Sequence, residues 1–541
     1  MIISKTPFRI SFFGGGTDYP VWYREHSGSV LSTTINKYCY ISTRYLPPFF
    51  DYKYRIRYRR REETQTLEEI RHPAVRECLK FLNIKDGIEM VHTSDLPALS
   101  GIGSSSSFTV GFLNSLYALT GRMISKRQLA LDAIHIEQDI IKENVGSQDQ
   151  TAAAFGGFNR IDFGGEEEVQ VHPITISKEK LDLLQDHLLM FFTGFSRIAS
   201  NIAAEQIRQT PDKAAELKAM TEILEAAIEV LNAGQERLFE FGKLLHETWK
   251  IKKELTNLIS NSEIDAIYEA GIEAGAIGGK LCGAGGGGFM VFFAPPEAHA
   301  RIKERLKNLL YVPFRFETSG SQILFSDPQE PFPEPMPGLF MKNKNLLISR
   351  AIKDSIEAKE DSLENNQFLP TIEKIADEMT NALRNGKRVF FCGNGGSAAD
   401  AQHLAAELSG KFYLDREPLP AQALHTNTSF LTAVANDYSY EEVFARAVKG
   451  EGKEGDVLVG ISTSGNSANV VRALEAANNL KMITVGLTGK GGGKMKNLCQ
   501  YLIEVSSSDT PRIQESHILI GHIICEIVEK EIFDNSLPIT N

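Results

Sequence analysis

Apolar residues follow two different rhythms along the 541-residue chain. In the last two hundred or so positions, short apolar runs alternate with stretches of helical pattern. The runs are Arg388-Val-Phe-Phe-Cys392, Ala421-Gln-Ala-Leu424, Asp456-Val-Leu-Val-Gly-Ile461, Met482-Ile-Thr-Val-Gly-Leu487 and Tyr501-Leu-Ile-Glu-Val505. Runs this short, with little polar alternation, read as strands buried on both faces. Strand and helix in alternation predict an α/β domain with a doubly wound parallel sheet flanked by helices. Ligands are then expected beyond the carboxyl ends of the strands.

The first three hundred residues mix strands and helices irregularly, which predicts an α+β domain. Ser4 to Phe13 reads as a strand entering Gly14-Gly15-Gly16, and Tyr38 to Tyr45 is a β-branched and aromatic strand. Ser104 to Leu119 and Lys126 to Lys142 read as helices, and Phe289 to Phe293 as a buried strand. Between the two rhythms stand Pro328, Pro331, Pro333, Pro335 and Pro337, then Lys342-Asn-Lys344. Proline at this density breaks helices and ladders, so 327–345 is expected to be a semi-extended linker. The expected domains are 1–326 and 346–541.

Composition narrows the function classes. The net charge of −11 and pI near 5.7 argue against a nucleic-acid or membrane-surface protein. No apolar run has membrane-spanning length, and the opening Met-Ile-Ile-Ser-Lys-Thr-Pro lacks signal-peptide features. Six scattered cysteines without a C-x-x-C pair fit a reducing compartment, and a cytoplasmic enzyme is expected.

The upstream chemistry lies in three glycine-bearing segments: Arg9 to Asp18, Pro97 to Ser107, and Cys282 to Gly288. In the middle one, Gly101 and Gly103 allow close approach to a polyphosphate. Ser104, Ser105, Ser106 and Ser107 follow at a helix start, as ligands for phosphate or Mg²⁺. The spacing is not that of a Walker loop. A separate run, Lys53, Arg55, Arg57, Arg59 and Arg61, alternates with Tyr52, Tyr54, Ile56 and Tyr58. Period two puts its cations on one face of a strand. A solvated edge strand is the favoured reading, ahead of a cradle for a substrate phosphate.

Together the three glycine segments resemble the GHMP kinase family, whose nucleotide motif is P-x-x-x-G-L-G-S-S-A; here Ile102 and Ser106 replace the Leu and Ala. The resemblance implies ATP and Mg²⁺, with the phosphates held by Pro97, Gly101, Gly103 and Ser104 to Ser107. It implies Asp149, in Gly146-Ser-Gln-Asp-Gln150, as the base that takes the acceptor hydroxyl proton. Arg9 would stand beside the base, Asp18 would grip sugar hydroxyls, and Ser105 with Glu137 would hold Mg²⁺. Phe8 to Pro20 and Thr193 to Arg197 are most similar to the heptose-7-phosphate kinase branch, which phosphorylates the anomeric oxygen.

Downstream, Cys392-Gly-Asn-Gly-Gly-Ser397 and Ser462-Thr-Ser-Gly-Asn-Ser467 each follow a strand and open a helix; the second, dense in hydroxyl donors, suits a phosphomonoester, and the first is expected to hold the sugar. His403 and Glu407 share a helix face, and Gln514, His517 and His522 lie on a late, otherwise apolar helix. A His/Glu pair facing Gln/His could bind Zn²⁺, although a buried histidine is often structural. This part resembles the sugar isomerase (SIS) domain, and within it phosphoheptose isomerase. The resemblance implies His403, Glu407, Gln514 and His522 as zinc ligands, and Glu407 and His522 as the acid–base pair. Asn394, Gly395, Gly396, Glu407, Asn436, Asp437, Ser462, Thr463, Ser464, Ser467 and Gln514 would contact substrate.

The expected whole is a bifunctional enzyme. It would isomerise sedoheptulose 7-phosphate to D-glycero-D-manno-heptose 7-phosphate and phosphorylate O1 with ATP, for nucleotide-activated heptose and surface polysaccharide. A homotetramer through the isomerase domain is implied. The alternatives are a sugar 1-kinase fused to a non-catalytic sugar-phosphate-sensing SIS domain, an interaction module, and a kinase for another sugar.

Overall fold

The computed structural model describes residues 1–50, 52–98, 100–165, 169–194, 199–327, 330–332 and 344–533. Most of the proline-rich 327–345 stretch, Leu99 of the phosphate loop and Phe195 to Arg197 lie outside the described residues. Two units result, Met1–Leu339 and Phe340–Asn541.

One long strand organises the first unit. β1 (Ile2–Phe13) and β2 (Gly28–Tyr45) pair antiparallel along most of their length. The far edge of β2 is shared: Cys39 to Tyr45 pair with β5 (Ile88–Ser94), and Gly28 to Thr33 with β6 (Phe158–Phe163). β3 (Tyr54–Arg57), β4 (Arg61–Thr64), β7 (Val169–Pro173), β12 (Phe316–Glu317) and β13 (Gln322–Ser326) complete a nine-stranded sheet. Its main path is β13-β1-β2-β5-β3-β4. A second, antiparallel sheet runs β11-β8-β10-β9, from β8 (Leu188–Phe192), β9 (Gly278–Leu281), β10 (Phe289–Phe293) and β11 (Leu310–Tyr311).

The Ser104–Leu119 helix packs on β1 and β2 and is buried nearly all round, as its continuous apolar content requires. Its small polar residues fasten it to β1. Ser4 Oγ donates to the Gly111 carbonyl at 2.8 Å, and Ser107 Oγ to the Pro7 carbonyl at 2.9 Å. This seats the helix start, and the loop before it, at the mouth of the sheet.

Two expectations are corrected. The helix from Lys126 is α-helical only to Ile134; His135–Ile140 widens into a π-helix. Such widenings are frequent at functional sites, and this one carries Glu137. The cationic run 53–61 is not one strand: it folds back as the β3–β4 hairpin. Arg55 pairs with Glu89 at 2.8 Å, Arg61 pairs with Glu63, and Arg57 and Arg59 are exposed. The alternating cations therefore do not share one strand face.

In the second unit, β14 (Val389–Gly393), β15 (Ala421–Ala423), β16 (Val457–Ser462), β17 (Ile483–Thr488) and β18 (Tyr501–Glu504) form a parallel sheet. The order is β15-β14-β16-β17-β18. Neighbouring side chains enter opposite cores. Phe391 and Val459 pack with Ile375, Leu404 and Ile524, whereas Phe390 and Leu458 pack with Phe444, Val470 and Leu474. Both faces are thus covered by helices, and the Gly393–Ser397 and Ser462–Ser467 turns emerge at the carboxyl ends of adjacent strands.

Each unit has cores of its own. Phe12 packs edge-on against Phe158, Phe241 and Phe316 with centroids 5.5–6.3 Å away. Phe12→Ala should cost about 3–5 kcal/mol. Calorimetry should show the first unit's unfolding transition lowered and the second unit's unchanged.

Candidate active sites

In the first unit, three sequence-distant segments meet around Arg9. Its Nε donates to Asp149 Oδ1 at 2.7 Å and its Nη1 to the Gly101 carbonyl at 2.8 Å. Its backbone N–H donates to the Ile102 carbonyl at 3.1 Å. The guanidinium is buried, and Asp149 stands in the first turn of the Gln148–Phe155 helix. The pair fixes one carboxylate oxygen; among the described residues, Oδ2 has no hydrogen-bond partner. Gly101 has φ +79°, and a Cβ there would lie 2.5 Å from the Cys282 carbonyl. Only glycine lets the phosphate loop rest on the Cys282–Gly288 segment.

Asp18 is buried beside them. Its Oδ1 accepts from Gly16 N–H at 2.9 Å, and its carbonyl accepts from Ser147 N–H at 3.0 Å. Burial raises its pKa, the hydrogen bond from Gly16 opposes this, and the charge of Asp149 adds to the rise. Glu137 accepts from Thr109 Oγ1 at 2.6 Å, Ser106 Oγ at 2.8 Å and Gln150 Nε2. Burial nevertheless pushes it up to about 7.

The four serines are expected to act alike on phosphate; the structure separates them. Ser106 is bound to Glu137 and Ser107 to β1, both buried, so their hydroxyls serve the protein. Ser104 opens the helix after Gly103 (φ +77°), and Ser105 is exposed. None of the hydrogen bonds to Glu137 comes from Ser105. Pro97 turns the loop by accepting Ser100 Oγ at 2.7 Å. Thr109 escapes a reading by motif, and Gln150 stands in the Gly146–Gln150 motif without a role, because only the packing of three helices brings them to Glu137.

In the second unit, β14 leads through Asn394 and Gly395 into the Gly396–Ser409 helix, and β16 leads through Thr463 to Ser467 into the Ala468–Asn479 helix. The two turns are tied by an amide pair. Asn394 and Asn469 donate to each other at 2.8 Å, and Tyr440 adds its hydroxyl to Asn394 Oδ1 at 3.2 Å. Ser462 and Ser467 hydroxyls lie 2.9 Å apart, and Ser464 Oγ accepts from Asn466 N–H. The Thr463 carbonyl accepts from Gly489 N–H at 3.0 Å. Asn436 and Asp437 are exposed at the end of the Thr428–Asp437 helix and bonded to each other at 2.9 Å. Asn469 lies two residues past the serine motif, and nothing local marks it.

His403, Glu407 and His522 converge. His522 Nε2 lies 3.0 Å from His403 Nε2, which lies 3.2 Å from Glu407 Oε1. One ligand atom from each falls within 4.8 Å of the other two. Ligands about 2.0–2.1 Å from a tetrahedral ion stand roughly 3.3 Å apart, so these three fit a zinc ion. Gln514 packs against Gly396, where a Cβ would lie 2.3 Å from its Nε2, at the opening of the same helix. His517 is structural: it is fully buried, its Nε2 contacts the Thr488 carbonyl at 3.1 Å, and burial lowers it to about 4.

Two further features are invisible to motif reading. Asp400, one turn before His403, has a buried Oδ2 without a partner among the described residues, and burial raises it to about 6. Arg416 and Glu529 form a pair at 2.9 Å with both side chains almost completely buried. Arg416 also donates to the Glu407 and Leu408 carbonyls at 3.0 and 2.8 Å, closing the helix that carries His403 and Glu407. Glu529 lies on the Thr510–Phe533 helix, which carries Gln514 and His522, and accepts from Tyr413 and Leu414 N–H. The pair sets the spacing of the two helices that build the cluster. Arg416→Met leaves a buried, unpaired carboxylate and should cost about 3–5 kcal/mol. The second unit's melting temperature should fall, and Arg416→Met/Glu529→Leu should recover much of it.

Family comparisons follow the same division. The GHMP kinases N terminal domain matches residues 70–157, the GHMP kinases C terminal domain matches 223–312, and the SIS domain matches 353–489. The chain is 54% identical over 193 residues to the phosphoheptose isomerase of Clostridium acetobutylicum, covering 36% of this chain and 97% of that protein. It is 52% identical over 191 residues to that of Aneurinibacillus thermoaerophilus, covering 35% and 96%. Among solved structures it is similar to a D-glycero-D-manno-heptose 1-phosphate kinase from Bacteriodes thetaiotaomicron, at 23% identity, 60% and 99% coverage and a TM-score of 0.46. The chain carries GHMP kinase domains, and through the part that holds its SIS domain it belongs to the phosphoheptose isomerase family.

Proposed function

We propose that the second unit converts sedoheptulose 7-phosphate to D-glycero-D-manno-heptose 7-phosphate and that the first phosphorylates that product at O1 with ATP. The observation that carries the isomerase reading is the convergence of His403, Glu407 and His522, the first two on the helix that opens after the Asn394 turn. The ester phosphate rests on the hydroxyls and helix N–H groups of Ser462 to Ser467. Glu407 takes the proton from C1 while His522 gives one to O2, which forms the enediol. Glu407 then returns the proton at C2 as O1 loses its own to His522, and the aldose results. A zinc ion on His403, Glu407 and His522, with Gln514 as the fourth ligand the resemblance implies, would supply a Lewis acid for the carbonyl oxygen in place of the proton from His522.

In the first unit, Arg9 holds Asp149 Oδ1 and leaves Oδ2 for the anomeric hydroxyl. Asp149 accepts that proton as the γ-phosphoryl is transferred, and Asp18 holds the sugar hydroxyls. The loop from Pro97 to Ser105 receives the triphosphate at a helix start. No cation among the described residues pairs with the buried Glu137. Mg²⁺ at Glu137 and Ser105 would hold that carboxylate ionised and neutralise the β- and γ-phosphates. The product would supply activated heptose for surface polysaccharide.

A reducing cytoplasm and a homo-oligomer belong to the same reading. All six cysteines are free, and no helix among the described residues is long and apolar enough to cross a membrane. Ile348, Ile352 and Ile356 form an i, i+4, i+8 row that is more than half exposed on the Lys344–Leu363 helix, a face suited to other copies of the chain. Ile352→Glu should reduce the assembly size measured by light scattering; an unchanged mass would remove this support.

With sedoheptulose 7-phosphate, ATP and Mg²⁺, mass spectrometry should find a heptose bisphosphate. Asp149→Asn should stop at the aldose monophosphate, with the kinase step slowed at least about 10²-fold. Glu407→Gln should leave the ketose unchanged. A wild-type chain that binds sedoheptulose 7-phosphate without isomerising it would favour a sensing SIS domain instead, and an isomerase rate unaffected by Glu407→Gln would remove Glu407 as the base.

A further inference from the structure

The first unit buries a cation that the steps above do not use. Lys252 stands near the end of the Leu238–Glu254 helix, and its side chain is 4% exposed. Its Nζ donates to the Gly283 carbonyl. An ammonium carries three donors, yet this is its one hydrogen bond among the described residues, and no carboxylate there lies within ion-pair distance. A buried ammonium with no carboxylate in contact is costly even with Asp18 and Asp149 acting on it from further off, so its retention suits an anion that binds beside it.

Its location says which anion. Gly283 packs on Gly101 of the phosphate loop: a Cβ on Gly283 would lie 2.4 Å from Gly101 Cα. Lys252 therefore stands under the contact between two glycine segments. The charged and titratable groups close enough to act on it electrostatically are Cys282, Arg9, Asp18 and Asp149, together with Lys280. Asp149 is already held by Arg9. Lys280 is fully buried and donates to the Phe12 carbonyl at 3.0 Å. Two ammonium groups thus rest on the carbonyls of Gly283 and Phe12, in or next to the glycine segments, and neither has a carboxylate partner among the described residues.

We propose that Lys252 receives a phosphoryl oxygen of the ligand in the kinase site, so that its counter-charge arrives with substrate. This rests on the kinase reading above. Burial lowers Lys252 to about 8, so near pH 8 about half the molecules carry the charge. A phosphoryl anion beside it raises that pKa, and binding takes up a proton. The linkage has a definite sign: uptake is largest between pH 8 and the raised pKa of the bound state, and it vanishes well below the first and well above the second.

The test is calorimetric titration at pH 8 in two buffers of different ionisation enthalpy. One arm uses ADP and the other D-glycero-D-manno-heptose 7-phosphate. In one arm the wild-type chain should take up about half a proton more than Lys252→Met, and Lys252→Met should bind that probe at least about tenfold more weakly. The arm affected tells whether the oxygen belongs to nucleotide or acceptor. Lys252→Arg, which stays charged, should keep affinity but lose the uptake. Should Lys252→Met not fold, the arginine variant alone decides. Proton counts and affinities equal to wild type in both arms, in a chain whose wild type transfers phosphate from ATP, overturn the proposal. A wild type that transfers none refutes the kinase reading itself.

Discussion

A phosphate ester held by a protein needs hydrogen-bond donors that stay in place when water leaves, and backbone N–H groups at a helix start are the cheapest supply. Both units of this chain offer such helix starts. In each, a strand ends, glycines turn the chain, and a helix opens. The helix is then fixed from behind: by Ser4 and Ser107 onto β1 in the first unit, and by the Arg416–Glu529 pair in the second. Reactive groups are added on neighbouring elements whose positions follow from that anchoring.

The two sites handle charge in opposite ways. The first keeps its ionisable groups buried, so Glu137 and Asp18 are raised and Lys252 is lowered. On the proposed reading such groups would meet a cation and an anion that come with the substrate, in keeping with phosphoryl transfer being catalysed by positioning and electrostatic stabilisation. The second leaves His403 half-exposed on a helix and lets three side chains converge at ligand spacing. Proton transfer at carbon needs a base that can meet the substrate and a donor at oxygen, so moderate exposure suits it.

Much of this is legible in the sequence where the signal is local. The Ser104–Leu119 helix and β10 have the bounds their patterns predict, because an apolar run between clear stops leaves little choice. The five downstream strands are equally plain. What escapes is non-local or geometrically subtle. An α-helical and a π-helical turn share nearly the same periodicity, so the widening at His135–Ile140 is silent. A cationic strand and a cationic hairpin share period two, so the fold-back at Tyr58 to Arg60 is silent as well. Arg416 and Glu529 lie 113 positions apart, and the four serines differ only in what the fold sets against them.

The central claim is that one chain acts twice on one sugar phosphate. The most direct measurement is NMR of a single reaction holding the purified chain, sedoheptulose 7-phosphate, ATP and Mg²⁺ in deuterated water. The account predicts a product with two phosphorus signals, one from an anomeric phosphate and one from the 7-phosphate, and deuterium at C2 in the fraction of turnovers in which the Glu407 proton exchanges with solvent at the enediol stage. A bisphosphate that retains the ketose skeleton, or an aldose that never gains a second phosphate, would contradict it.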